Sequence, residues 1–125
     1  MAHEMQLISD KILKVSLIGD FNEDGLAAYN IEYEQYLANV SGENPLHVLA
    51  DAAREGRLSA AARRDFSRRT KEDDRVGRTA IINAKRVNRV MATFIMKAAG
   101  RSEQFRFFDN EQDAVAWLNT EYTVR

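Results

Sequence analysis

The 125-residue chain contains no cysteine. That removes disulfide staples, thiolate nucleophiles and cysteine-built metal sites together. A single proline, Pro45, and six separated glycines leave no low-complexity linker and no glycine-rich loop to cradle a phosphate. The only histidines, His3 and His47, stand far apart and make no metal site between them. No serine sits in a Gly-x-Ser-x-Gly elbow, and neither Gly-x-Gly-x-x-Gly nor a P-loop occurs. No apolar run approaches the roughly 20 residues that span a bilayer. The opening "MAHEMQLISDK" lacks the apolar core of a signal peptide. The expectation is a soluble, cytoplasmic protein that is not an enzyme and carries no cofactor or metal.

What is present is an ordinary globular mixture, 45% hydrophobic and 30% charged, enough for one domain over residues 1–125 with a continuous core. The charge is unevenly spread. Residues 1–53 hold two basic and nine acidic side chains, whereas residues 54–90 hold twelve basic and five acidic. The acidic first part and basic middle can complement each other within one molecule or between two.

Hydrophobic periodicity divides the chain into elements. "EMQLIS" and "KILKVSLIG", split by Asp10-Lys11, read as a hairpin. From Gly25 the period becomes helical through Leu26, Tyr29, Tyr33, Tyr36, Leu37 and Val40. Pro45 ends that helical pattern, and "LHVLADA" reads as a buried strand followed by a charged loop. A helix is expected from Ser59 to about Asp74, then a buried strand, "RTAIINA". Val87, Val90, Met91, Phe94, Ile95 and Ala98 form an i, i+3, i+4, i+7 ladder on a helix beginning near Lys85 and closed by Gly100. "QFRFFD" is an aromatic strand. Asp109 or Asn110 caps a last helix, which turns Ala114, Trp117 and Leu118 toward the core; Asp109 and Gln112 have capping-box spacing. The order β-β-α-β-α-β-α-β-α implies an α/β fold with a mostly parallel sheet and an antiparallel edge.

That order, with these lengths, resembles the STAS domain, the fold of SpoIIAA-like anti-sigma-factor antagonists. The stretch "NAKRVNRVMATFIMKAAGRSEQFRFFDNEQDAVAWL", Asn83 to Leu118, is similar to the second half of small bacterial STAS-like proteins of uncharacterised function. The resemblance implies a mixed, mostly parallel sheet with packed helices and a regulatory role through protein contacts. Such proteins are often grouped with the CRAL-TRIO lipid-binding proteins, which implies a second class of function, the binding of a lipid or small molecule between sheet and helix. Antagonists of the family carry an Asp-Ser-Ser/Thr-Gly type signature after the third strand, where a partner kinase phosphorylates a serine. Here that place holds "RLSAAA" around Ser59, with no adjacent acid and no following glycine.

Four groups of residues are candidates for function. Ser59 is a switch serine or a helix cap; Arg57, Arg63 and Arg64 near it would welcome a phosphate at a helix N-terminus. Arg57, Arg64, Arg68 and Lys71 fall roughly on one side of the second helix, a solvated face or a surface for an acidic protein partner. Nucleic acid is disfavoured by the pI near 6.1 and by the lack of interleaved aromatics. Asp51, Asn83, Lys85 and Asp109 stand at the carboxyl ends of strands, where ligands of parallel α/β sheets sit, although caps and turns also use such residues. Finally, Ala92, Met96 and Ala99 make a second apolar stripe on the third helix, behind the stripe assigned to the core. A homodimer interface is expected there, with a covering loop, a lipid or another protein as alternatives.

Overall fold

The computed structural model describes residues 2–122. Six strands form one mixed sheet. Strand β1 (Ala2–Ser9) turns at Asp10-Lys11 into the long β2 (Ile12–Phe21), antiparallel to it, with Ala2 opposite Ile18 and Leu7 opposite Leu13. After helix α1 (Glu23–Leu37), strand β3 (Leu46–Asp51) runs parallel to the first half of β2, and a short β4 (Glu55–Leu58) runs parallel to its second half. Helix α2 (Ala60–Glu72), β5 (Val76–Ile82), α3 (Arg86–Ala98), a 3-10 turn at Ser102–Gln104, β6 (Phe105–Phe108) and α4 (Glu111–Leu118) complete the chain. The main strand order is β1-β2-β3-β5-β6, and every pairing but the first is parallel.

The element that sequence reading missed is β4. "EGRL" has no alternating apolar pattern, so it reads as loop. Its pairing comes from β2, which is ten residues long and outruns β3. The register passes from Ser16 opposite Asp51 to Gly19 opposite Glu55 and Phe21 opposite Leu58, so β4 continues the β3 ladder after a three-residue excursion. Asp51 holds that excursion, its Oδ1 accepting from Ala53 N–H at 3.0 Å. Gly56 lets the strands close up, because a Cβ there would collide with the Asp20 carboxylate that receives the Arg57 N–H.

Strand alternation sorts the core onto two faces. Leu13, Val15, Leu46 and Val48 face α1, α2 and α3, together with Phe21, Leu26, Tyr29, Leu58, Ala62 and Ile95. Ile12, Leu49, Ala80 and Ile82 face α4 alone and pack on Ala114 and Leu118. Trp117 is half-buried against that second cluster, beside Phe108.

The helix starts follow their caps. Asn22 Oδ1 accepts from Asp24 and Gly25 N–H, and Glu23 and Asp24 place negative charge in the first turn of α1. Ser59 Oγ accepts from Ala62 N–H at 3.1 Å. Asn110, not Asp109, caps α4, its Oδ1 taking the Asp113 N–H at 2.8 Å; the cap lies one residue beyond the Asp109/Gln112 spacing. Asn83 does not cap α3. It sits at φ 60°, a left-handed turn that asparagine tolerates, and Lys85 occupies the cap position without a side-chain bond.

Helix α3 corrects the sequence reading most. Its orientation exposes Val87, Val90 and Phe94, which are 63%, 66% and 72% accessible, and buries Asn88, Ile95, Met96 and Ala99. Met96 and Ala99, read as a surface for a second subunit, are covered by their own chain, and Ala92 is half-buried beside them. The sequence pattern put the largest apolar side chains inward. The packed face instead carries Asn88, whose amide has a partner on β4.

Candidate functional site

The space between the sheet and the helices α1–α3 is not filled. A chamber of about 200 Å³ remains there. Its floor is the inner sheet face, with Val15, Leu17, Val48, Ala50, Thr79 and Ile81. Tyr29 and Tyr33 of α1 and Phe66 and Thr70 of α2 form one wall; Met91, Ala92, Ile95 and Met96 of α3 form the other. The aromatic wall is held together by ring contacts. Tyr29 meets Phe21 and Phe66 edge to face, with ring centroids 6.0 and 5.5 Å apart, and lies 5.5 Å from Tyr33. Burial pushes both phenols well above their ordinary pKa, so they face the chamber as neutral groups.

Polar side chains reach this mostly apolar space at defined places. Asn88, in the first turn of α3, is 3% exposed; its Nδ2 donates to Gly56 O at 3.4 Å, and its Oδ1 is buried without a partner. Glu55 of β4 stands beside it. Burial raises the Glu55 carboxyl above the ordinary carboxylate range, and a hydrogen bond from the Asn88 side chain partly opposes this. On α1, Asn30 Nδ2 donates to Asp65 at 3.1 Å, and the Asn30 Oδ1 is also buried without a partner. Asp65 resists burial of its charge through hydrogen bonds from Asn30 and Arg68 and the nearby Arg69, which together keep its carboxyl below the usual range. The other end is closed by the buried Arg101, whose guanidinium donates to Val76 O, Asp73 O and the Gln104 side chain.

Three of the residues singled out from sequence line this chamber, and the others lie outside it. Ala92 and Met96 line it, and so does Asp51. Asp51 and Asn83 are brought together, Asn83 Nδ2 donating to Asp51 Oδ1 at 3.0 Å. Lys85 and Asp109 are exposed, and no hydrogen bond joins them to that pair among the described residues. Ser59 is the cap of α2, with its own N–H held by Phe21 O at 2.9 Å. Arg57, Arg64, Arg68 and Lys71 are all exposed; Arg68 is engaged by Asp65 at 2.6 Å and by Glu72 at 3.8 Å on its own helix. The histidines are tied into the framework. His3 pairs with Glu32 at 3.1 Å, and buried His47 accepts the Arg78 N–H at Nδ1. Sequence reading missed Asn30, Glu55 and Asn88. Only Asn88 left a signal, a polar residue in an otherwise apolar register of α3.

Comparison with known proteins bears on family and fold. The SpoIIAA-like family model matches residues 12–119. The chain belongs to the SpoIIAA-like family. Its fold is similar to that of an uncharacterised protein with a SpoIIAA-like fold from Shewanella loihica PV-4, at 22% identity and a TM-score of 0.69, over 93% of this chain and 91% of that one. It is also similar to the anti-sigma factor antagonist SpoIIAA in its unphosphorylated form, at 10% identity and a TM-score of 0.66, over 97% and 99% of the two chains. No curated protein matches the sequence. Among the described residues no helix is long and apolar enough to cross a membrane, and no group of three His, Cys, Asp or Glu side chains could hold a metal ion.

Proposed function

We propose that this SpoIIAA-like protein is a non-catalytic binding module whose chamber takes a small, mostly apolar molecule. The observation that carries the reading is the unfilled space of about 200 Å³ between sheet and helices, walled by Tyr29, Phe66, Met91 and Ile95. A cavity of about 150 Å³ lined by aliphatic and aromatic side chains is large enough to hold benzene. A compact ligand there would make dispersion contacts with these walls. Ligand pockets are mostly apolar with a few placed polar groups, and here those groups include Asn88, Glu55 and Asn30.

Native mass spectrometry of the purified protein and titration with compact aromatic compounds test this. A bound mass or a saturable rise in melting temperature is expected, and Ala92→Leu, which places a larger side chain on the chamber wall, should abolish it. Wild-type protein that binds no compact apolar compound would remove the reading.

A protein-interaction role, the regulatory use of this fold, is the second reading. It is supported by the solvent-facing Val87, Val90 and Phe94 of α3, three large apolar side chains on one helix face. A second copy of the chain is the partner this reading names, at this face rather than at Ala92, Met96 and Ala99. The exposed Arg57, Arg64 and Lys71 are the side chains an acidic partner would meet. Sedimentation at micromolar concentration decides the homodimer: a monomeric wild type removes it.

A further inference from the structure

The Asn88 amide sets what kind of molecule the chamber receives. Its orientation follows from what surrounds it. Gly56 O can only accept a hydrogen bond, and it receives Nδ2. A flipped amide would set oxygen against oxygen there. The same amide favours the charged form of the Glu55 carboxyl, as a donating Nδ2 does. Oδ1 is therefore turned away from Gly56 O. It is buried, it has no partner, and its residue lines the chamber. Asn30 repeats the pattern on the α1 side: the Asp65 carboxylate takes Nδ2, and the Oδ1 of a second chamber-lining residue is left buried and unpartnered. A native interior satisfies nearly all such groups. Both orphans are acceptors.

We infer that the chamber's ligand is a compact apolar molecule carrying an N–H or O–H donor, and that Asn88 Oδ1 receives that donor. This rests on the chamber being a ligand site, as proposed above, and adds the chemistry of its polar end. A ligand bearing only acceptors would leave Oδ1 unpaired and bring a second lone pair against it. A ligand with a donor makes the one bond the folded chain does not make. Selection by such a bond is strong, because a buried polar group left unpaired by the wrong ligand carries its full desolvation cost.

Two probes of nearly the same shape separate the possibilities. Indole carries a ring N–H; benzofuran has an oxygen in its place and no donor. Titration of the wild-type protein with each, followed by calorimetry or by chemical-shift changes at Met91 and Ile95, gives the ratio of affinities. Indole is expected to bind about tenfold more tightly. In Asn88→Leu the preference should disappear while benzofuran binding is kept. Equal affinities for the wild type would overturn the inference and leave the chamber standing as an apolar site. Binding of neither probe would overturn both readings. If Asn88→Leu folds and still prefers indole, Oδ1 is not the acceptor and the inference falls. Should that variant not fold, the wild-type ratio decides alone.

Discussion

The two faces of the sheet are built from alternate residues of the same strands, yet they pack differently. On one face Ile12, Leu49, Ala80 and Ile82 meet a single short helix, α4, and with Ala114 and Leu118 they form a closely sealed layer. On the other face three helices share the cover, and a chamber remains. The sealed face needs only an i, i+4 pair, because Ala114 lets α4 approach while Leu118 fills the space beside it. The open face is spanned by the large rings of Tyr29, Tyr33 and Phe66, while small Ala50, Ala84 and Ala92 line the gap. Helix number does not decide how completely side chains fill an interior. The match of side-chain volumes across it does.

Truncation is the sharpest test of that contrast. Leu118→Ala on the sealed face should cost about 2–5 kcal/mol of unfolding free energy, because a 2%-exposed side chain leaves a cavity the layer cannot close. Met91→Ala on the chamber wall should cost about 1 kcal/mol or less, since Met91 is half-buried and already lacks neighbours on one side. Denaturant melts of the two variants give the comparison directly. Equal costs would mean that the chamber is filled in solution.

Next in size is the clamp that ties the open face to the β5 end of the sheet. Arg75 donates to Glu34 at 2.8 and 2.9 Å, to Asp73 at 2.8 and 2.9 Å, and to Leu37 O at 3.2 Å. Arg75→Met should cost about 1.5–3 kcal/mol, mostly from the Asp73 and Leu37 bonds, because exposed Glu34 is screened by water. The pH dependence follows. Arg75 holds both carboxyls below their ordinary values. Their contribution is therefore present above the unfolded-state values of 3.8 for Asp73 and 4.5 for Glu34, and is lost as pH falls through the lower folded values. Wild-type stability should fall on acidification below about pH 4.5. In Arg75→Met that fall should be shallower, and an unchanged acid limb would show that the clamp does not form in solution.

Smaller still is the cap of α2. Ser59→Ala should lower stability by about 1 kcal/mol, and Ser59→Asp should be nearly neutral, since aspartate caps equally well and suits the helix dipole. If Ser59→Asp left melting unchanged but abolished binding of a partner, the serine would have a signalling role beyond its cap.

How far the sequence could be read follows from where each signal resides. The Asp10-Lys11 turn and the Ser59 cap are local patterns and appear where the sequence places them, and the cap of α4 falls on Asn110, one residue past the capping-box spacing. Strand β4 was illegible because "EGRL" has no local preference; only the overhang of β2 makes it a strand. The chamber was illegible for a related reason. A void is a property of how side chains from β2, β3, β5 and three helices meet, and no window of sequence contains it. The phase of α3 misled because periodicity assumes that the larger apolar side chains point inward. Here Ile95, Met96 and Ala99 do so, while Phe94 does not.

That phase error gives the prediction with the smallest expected effect, and a telling one. If Phe94 filled the core, as its place in the ladder implies, Phe94→Ser would cost more than about 3 kcal/mol. With the side chain 72% exposed, the change should cost less than about 0.5 kcal/mol, the range for surface substitutions. Ile95→Ser, one residue along and 9% exposed, should be severely destabilising, because it removes a packed side chain and buries a hydroxyl. A helix rotated by one residue would reverse that pair, so the two melting curves fix the phase of α3. Sedimentation of Phe94→Ser adds the second half of the test. If the exposed stripe joins two copies, the variant sediments as a monomer where the wild type does not, with its fold intact. If wild type and variant sediment alike as monomers, the stripe does not join copies of this chain, and the interaction reading needs a different partner.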